Sequence, residues 1–274
     1  HTLVQFALFI ITIVLIAALE PFSQAIAPPI TSSVRLGYNI PSLISLGLII
    51  TAASLYLLRQ VENLRQRADL LLLNILPDSI ALRLKAGENT IADSFDNVTV
   101  LFADMVGFTT LSEQLKPQET VDVINEIFTY FDSLAEKYGV EKIRTIGDGY
   151  MVAAGVPLPK DDHALALVSM ALDMQDYLLR RAAHDNVPVQ MRIGINSGTA
   201  VAGIVGTTKF HYDLWGDMVN TASRLETHGQ PGKIQIARPT YELIKQDFIC
   251  EPRGLLDIKD KGEMEVWFVT GARN

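Results

Sequence analysis

The sequence contains one cysteine, Cys250, which excludes an intrachain disulfide and any cysteine-based zinc site. His163, His211 and His228 each stand alone, with no second histidine at ligand spacing, so no metal role is expected of them. There is no basic tract, and the formal net charge is −8, so the chain offers nucleic acid no electrostatic footprint. No repeat of solenoid length occurs. Charge itself is missing from two stretches, Thr2 to Leu19 and Ile40 to Leu58, although charged residues make up 20% of the chain.

Those uncharged stretches each approach the roughly 20 residues that cross a bilayer core, and both read as transmembrane helices. The first lacks the basic n-region of a secretory signal, and the chain opens on His1, so a piece of a longer membrane protein is expected. Between the spans, EPFSQAIAPPITSSVRLGYN carries three prolines and reads as a short extramembrane loop. Arg59, Arg65 and Arg67 follow the second span, against Arg35 alone in the loop, which places the C-terminal side in the cytoplasm.

Leu57, Val61, Leu64, Ala68, Leu71 and Ile75 recur at alternating spacings of 4 and 3, the pattern of a seam between two parallel helices. Packing of one amphipathic helix on its own domain is the alternative, but a helix leaving the membrane has little domain to pack on. Pro77 is expected to end or kink that helix. The reading is thus a membrane segment over 1–59, a coiled-coil connector over 60–92 and a catalytic domain over 93–274.

From Asn97 onward, strands alternate with helices. NVTVLFAD reads as a strand, PQETVDVINEIFTYFDSLAEKYG as a helix ending at Gly139, and VEKIRTI with YMVAAGV as a hairpin around IGDG. DDHALALVSMALDMQDYLLRRA is a second helix, VQMRIGINSG with TAVAGIVG a second hairpin, and GDMVNTASRLETHG a third helix. KIQIA, FICEPR and MEVWFVT are late strands. The order predicts an α+β fold with a ferredoxin-like βαββαβ core. Phe128, Tyr130 and Phe131 are expected in the core or an interface, and Gly198, Gly203 and Gly206 where the chain twists or backbones approach closely.

Asp104 stands out because a carboxylate closing a buried strand must be paired, bind a cation or emerge into a cleft. In a βαββαβ core the first strand adjoins the hairpin, which brings Asp148 of IGDG to the same sheet edge. Two hard oxygen ligands suit Mg²⁺ or Mn²⁺, with water and phosphate completing the shell. VGFTTLS then leads through a glycine into a helix N-terminus, a cradle for phosphate. Taken singly, Asp104 reads better as a helix cap and Asp148 as a turn residue than as metal ligands. Together with the cradle they indicate a nucleoside triphosphate site. Asn220 and Arg224, four apart, share a helix face.

FADMVGFT, EKIRTIGDGYMVAAGVP, MRIGINSGTAVAGIVG and YDLWGDMVNTASRLE, in this order between Asp93 and Val269, resemble the class III nucleotidyl cyclase catalytic domain. The resemblance implies a head-to-tail homodimer that makes a cyclic nucleotide at its interface. It implies that Asp104 and Asp148 hold two divalent cations with the Met105 carbonyl, and that the Phe108 and Thr109 amides hold phosphate. Arg224 is implied as the transition-state donor and Asn220 as the ribose-orienting residue. Lys259 and Lys261 match a family turn whose first lysine contacts the terminal phosphates; here Asp260 replaces its glycine, leaving open which lysine reaches.

The resemblance also bears on the purine. Adenylate-type members carry a lysine before the IGD turn and an aspartate in YDxWG, whereas guanylate-type members carry glutamate and a small residue. This chain has Arg144 and Asp213. Asp213 can accept from the adenine amino group while a cation donates to N1, so ATP is the expected substrate; GTP, or a silent sensor module retaining the fold, are the alternatives. The presence of Asp104, Asp148, Asn220 and Arg224 together argues against a silent module. The expected protein is a membrane-anchored adenylate cyclase, with ATP, a second copy of itself and the lipid bilayer as partners.

Overall fold

The computed structural model describes residue 18 and residues 32–73, 75–88, 90–183, 189–206, 210–258 and 261–273. The chain divides into two compact units, His1–Leu72 and Leu73–Asn274.

The first unit is built on one helix, α1, Ser32–Leu73. Its Ile44–Leu73 part is long and apolar enough to cross a membrane, with mean hydropathy 1.6 and no part of the apolar window buried by protein. The expected first span, Thr2 to Leu19, lies outside the described residues except for position 18. The expected loop is helical from Ser32 onward, and the rest of it lies outside the described residues. Seam positions Leu57, Val61, Leu64 and Leu71 are all exposed, while Ile75 lies past the end of α1 and is not part of its stripe.

In the second unit Pro77 caps a short helix, α2 (Asp78–Lys85). Proline suits such a boundary because its missing N–H and fixed φ interrupt the previous helix without harming the next. The sheet begins with β1 (Ala92–Met105), after which come α3 (Phe108–Gln114), α4 (Pro117–Tyr138), β2 (Glu141–Ile146) and β3 (Gly149–Ala154). Then follow α5 (His163–Ala182), β4 (Met191–Val205), β5 (His211–Trp215) and α6 (Asp217–Thr227). The chain closes with β6 (Ile234–Ala237), α7 (Arg238–Ile244), β7 (Phe248–Ile258) and β8 (Gly262–Ala272).

The strands form one sheet in the order β2-β3-β1-β4-β6-β8-β7, with β5 also paired to β4. Its first four strands, with α3–α4 and α5 as crossovers, are the expected βαββαβ core, and β1 lies against β3 as expected. The second expected hairpin is absent: residues 191–205 run as one strand, paired with β1 from Ala92–Gly203 to Met105–Met191. Instead β4 pairs antiparallel with the later β5. Gly198, expected where the chain twists or packs closely, lies within this strand, and a Cβ there would meet Met218 Cβ of α6 at 3.1 Å. Close approach is also the role of Gly203, where a Cβ would strike the Ile91 carbonyl oxygen.

Alternation along β1 and β4 sorts their side chains between two faces. Leu101, Ala103, Met105, Met191, Ile193 and Ile195 enter the core beneath α4 and α5, together with Phe128 and Phe131. Tyr130 is partly buried against that core and stacks on Tyr177, ring centroids 3.8 Å apart. Each such large apolar side chain contributes about 1.5–3 kcal/mol by leaving water. The intervening residues face α6, and there the polar chemistry collects.

Candidate functional site

Asp104 and Arg192 are cross-strand partners on the α6 side of the sheet. Arg192 Nη2 donates to Asp104 Oδ2 at 2.7 Å. Two residues along β4, Gly194 has no side chain, which lets the α6 backbone settle onto the strand; a Cβ there would meet Glu226 N and Ala222 O. Two further, Asn196 Nδ2 donates to the Met218 carbonyl at 3.2 Å. This close seating carries Glu226 to Arg192, with Oε1 3.2 Å from Nε. The two atoms are near but misaligned, and neither has a hydrogen-bond partner among the described residues.

The two-residue turn Gly147–Asp148 joins β2 to β3, and Gly149 pairs with Asp104. A Cβ on Gly149 would lie 3.7 Å from Asp104 Oδ1, so the turn holds Asp148 beside Asp104. Burial, and then the Asp104 charge, push the Asp148 carboxyl above its ordinary range, with Arg192 opposing. Glu226 is pushed the same way, first by burial and then by Asp104, again against Arg192. Three acids thus converge on one guanidinium.

Among the described residues no three His, Cys, Asp or Glu side chains are arranged to hold a metal by themselves. Asp104 and Asp148 do fit Mg²⁺ or Mn²⁺ as a carboxylate pair, since such ions keep water and substrate phosphate in their shell. Two adjacent carboxylates, one of them disfavoured as the anion, are what a divalent cation relieves. The Met105 side chain is buried, so only its backbone is available to the site.

Gly107, at φ 71°, turns the chain from β1 into α3, whose N-terminus has no side-chain cap. Phe108 and Thr109 therefore open a helix with first-turn N–H groups directed away from its body. Phe108 also packs on the core beneath α4 and α5.

On α6 the buried face comprises Met218, Val219, Thr221, Ala222, Leu225 and Glu226. Asp217, Asn220 and Arg224, spaced by 3 and 4, form a different stripe, on which Asn220 is exposed and Arg224 half-buried. Lys261 reaches the start of that stripe as an ion pair with Asp217. Lys259 lies outside the described residues. One chain therefore gathers Asp104, Asp148, Arg192 and Glu226 on one side of α6, and Lys261, Asn220 and Arg224 along another.

The purine candidates meet directly: Arg144 Nη1 donates to Asp213 Oδ2 at 2.7 Å. Arg192 and Glu226 are the site residues that sequence reasoning passed over. Arg192 had a signal, a charge interrupting an apolar strand, the same anomaly that marked Asp104. Glu226 had only its position on a helix face that the fold turned inward.

The sequence profile described as Adenylate and Guanylate cyclase catalytic domain matches residues 90–271. The chain belongs to that family. The chain is 43% identical over 214 residues to an adenylate cyclase of Mycobacterium tuberculosis, covering 78% of this chain and 48% of that protein. It is 40% identical over 220 residues to retinal guanylyl cyclase 1 of Bos taurus, covering 78% of this chain and 20% of that one. The chain thus spans about half or less of the length of these relatives. Among solved structures, the adenylyl cyclase CyaB from P. aeruginosa superposes with TM-score 0.63 at 32% identity, over 67% of this chain and 98% of that chain. The guanylate cyclase domain of RhGC from Catenaria anguillulae, in complex with GTP, does so with TM-score 0.63 at 34% identity, over 66% and 100%.

Proposed function

We propose that the chain is the catalytic end of a membrane-anchored adenylate cyclase, converting ATP to 3′,5′-cyclic AMP and pyrophosphate as a homodimer. The observation that carries this reading is the division of chemistry across α6. The two acids suited to metal face one way, and Asn220 and Arg224 line another stripe, so a second copy is needed to bring both sets to one nucleotide. Each chain has both sets, so a symmetric pair builds two sites.

The ribose 3′-hydroxyl gives its proton to solvent, its oxygen attacks the α-phosphorus, and the bond from that phosphorus to the bridging oxygen breaks, its electron pair leaving with pyrophosphate. Two divalent ions, Mg²⁺ or Mn²⁺, when bound supply a lowered pKa at the 3′-hydroxyl and neutralise the triphosphate. Asp104 and Asp148, with the Met105 carbonyl, would hold those ions. The Phe108 and Thr109 amides and the Arg192 guanidinium receive phosphate oxygens. From the partner, the equivalents of Arg224 and Asn220 act on the α-phosphate and the ribose: the guanidinium fork stabilises charge growing at phosphorus, and the amide orients the sugar. Lys261, with Lys259, takes charge on the departing pyrophosphate. Asp213 accepts from the adenine amino group.

The anchor rests on the exposed apolar stretch of α1, and Arg59, Arg65 and Arg67 in the C-terminal part of the same helix support a cytoplasmic catalytic unit in a multi-pass protein. The stripe from Leu57 to Leu71 would pair the two helices. A guanylate cyclase is the second reading, favoured by Arg144, whose donors also suit guanine O6, and by guanylyl cyclases among the relatives. Turnover with ATP and GTP, in Mg²⁺ and in Mn²⁺, resolving cyclic from linear product, decides. ATP is expected to exceed GTP at least about tenfold in kcat/KM, roughly 1.4 kcal/mol of transition-state binding. Equal use or a GTP preference overturns the adenylate assignment, and linear product overturns cyclisation.

A further inference from the structure

The two side chains assigned to the base are already bonded to each other, and both oxygens of the acid are engaged. Asp213 Oδ2 accepts from Arg144 Nη1 at 2.7 Å, and Asp213 Oδ1 accepts from the Leu214 backbone N–H at 2.9 Å. The strands that carry them are not neighbours: β3, β1 and β4 lie between β2 and β5. Arg144 follows a register shift after Lys142, an irregularity of the kind that re-aims a side chain out of strand alternation. The pair is also unequal, with 42% of the Arg144 side chain exposed against 9% of Asp213. Asp213 therefore offers a narrow acceptor edge whose direction is set by the two bonds.

We infer that Arg144 selects the base through Asp213, as a positioning residue that fixes the carboxylate as an acceptor, and not as an independent donor to the purine. Each carboxylate oxygen keeps a lone pair beyond the bond it already accepts. An exocyclic amino group can use that lone pair, whereas a carbonyl oxygen at the same place meets an acceptor and is left unpaired. One donor is enough for this role, because the Leu214 N–H already holds the other carboxylate oxygen. The inference rests on the adenylate reading above, and its test separates the two.

The test is a double-mutant cycle of Arg144→Met, Asp213→Ala and both together, with kcat/KM measured separately for ATP and GTP and a thermal midpoint for each variant. If Arg144 acts through Asp213, each single change lowers the ATP-to-GTP ratio by about tenfold, and the double change lowers it no more than about twofold beyond either. Multiplying effects, about a hundredfold in the double variant, overturn the inference, because Arg144 then addresses the base by itself. Arg144→Lys keeps a donor for Asp213 and is expected to hold the ratio within about threefold; a tenfold fall at an unchanged midpoint also overturns it. This variant decides if Arg144→Met does not fold. Should the unmodified chain prefer GTP, the adenylate reading fails while the cycle on the preferred nucleotide still decides the coupling.

Discussion

At the scale of single residues, the site is a set of charges held where the bare fold would not choose to put them. Asp148 is raised by burial and by its neighbour Asp104, so in the metal-free protein its negative charge is a cost to folding. Asp148→Asn is therefore expected to abolish cyclase turnover while leaving the metal-free thermal midpoint unchanged or higher; near-full turnover in saturating Mn²⁺ would remove it from the site. Glu141 is a second case, away from that cluster. Burial, and then the charge of Asp78, push its carboxyl up to about 7. An acid whose folded pKa is raised binds its proton more tightly when folded, so its stabilising effect is complete below about 4.5 and is lost as pH rises through about 7. Glu141→Gln should therefore raise stability at pH 8 by on the order of 1 kcal/mol, after allowance for partial solvent screening, and change little at pH 4. Urea midpoints at the two pH values check this, and a gain at pH 4 equal to that at pH 8 would contradict it.

At the scale of elements, the decisive contact is α6 against β4. A strand residue with a side chain at position 194 would hold the helix off the sheet, because a Cβ there would meet the helix backbone at Ala222 and Glu226 and neither can yield as a flexible side chain could. Gly194→Ala is expected to cost about 2–4 kcal/mol and to lower turnover further than stability alone explains, since Glu226 moves away from Arg192 with the helix. Denaturation midpoints together with kcat/KM measure both; a loss under about 0.5 kcal/mol would show that the helix can shift freely. Gly203 makes the equivalent approach to the Ile91 carbonyl, and Ile204 N donates to that same oxygen at 2.9 Å. Residues between α1 and β1 are thereby built into the second unit, where Leu76, Ile80, Ala81 and Ile91 are buried.

At the scale of the whole molecule, the proposed division of roles across α6 would make the dimer a chemical requirement. Asp104→Ala and Arg224→Ala chains, each inactive alone, should recover activity when mixed, because a hybrid dimer has one intact site. Random exchange makes half of the dimers hybrids with one working site of two, so roughly a quarter of the unmodified rate is the ceiling. Adding Leu64→Glu and Leu71→Glu to both chains should lower that recovery, most at high dilution, if the α1 stripe joins the helices. Absence of recovery despite demonstrated exchange would place each complete site within one chain.

The sequence alone determined the alternation of strands and helices, the IGDG turn, the break at Pro77 and the acids that stand out against apolar strands. These are local properties, carried by side-chain period and by the backbone demands of glycine and proline, and they are legible within a window of about ten residues. The same locality misled at residues 191–205, where glycines required for close packing looked like the turn of a hairpin, and it left α7 unread, because seven residues give almost no apolar period. Only the tertiary structure decided that Arg192 faces Asp104 across 88 residues of chain, that Arg144 faces Asp213 across 69, and that α6 shows Glu226 to one side and Arg224 to another. A residue's own neighbours in sequence establish whether it can lie on a strand or a helix. Which other charge it meets depends on strand order and register, and these are chosen by burial summed over the whole sheet.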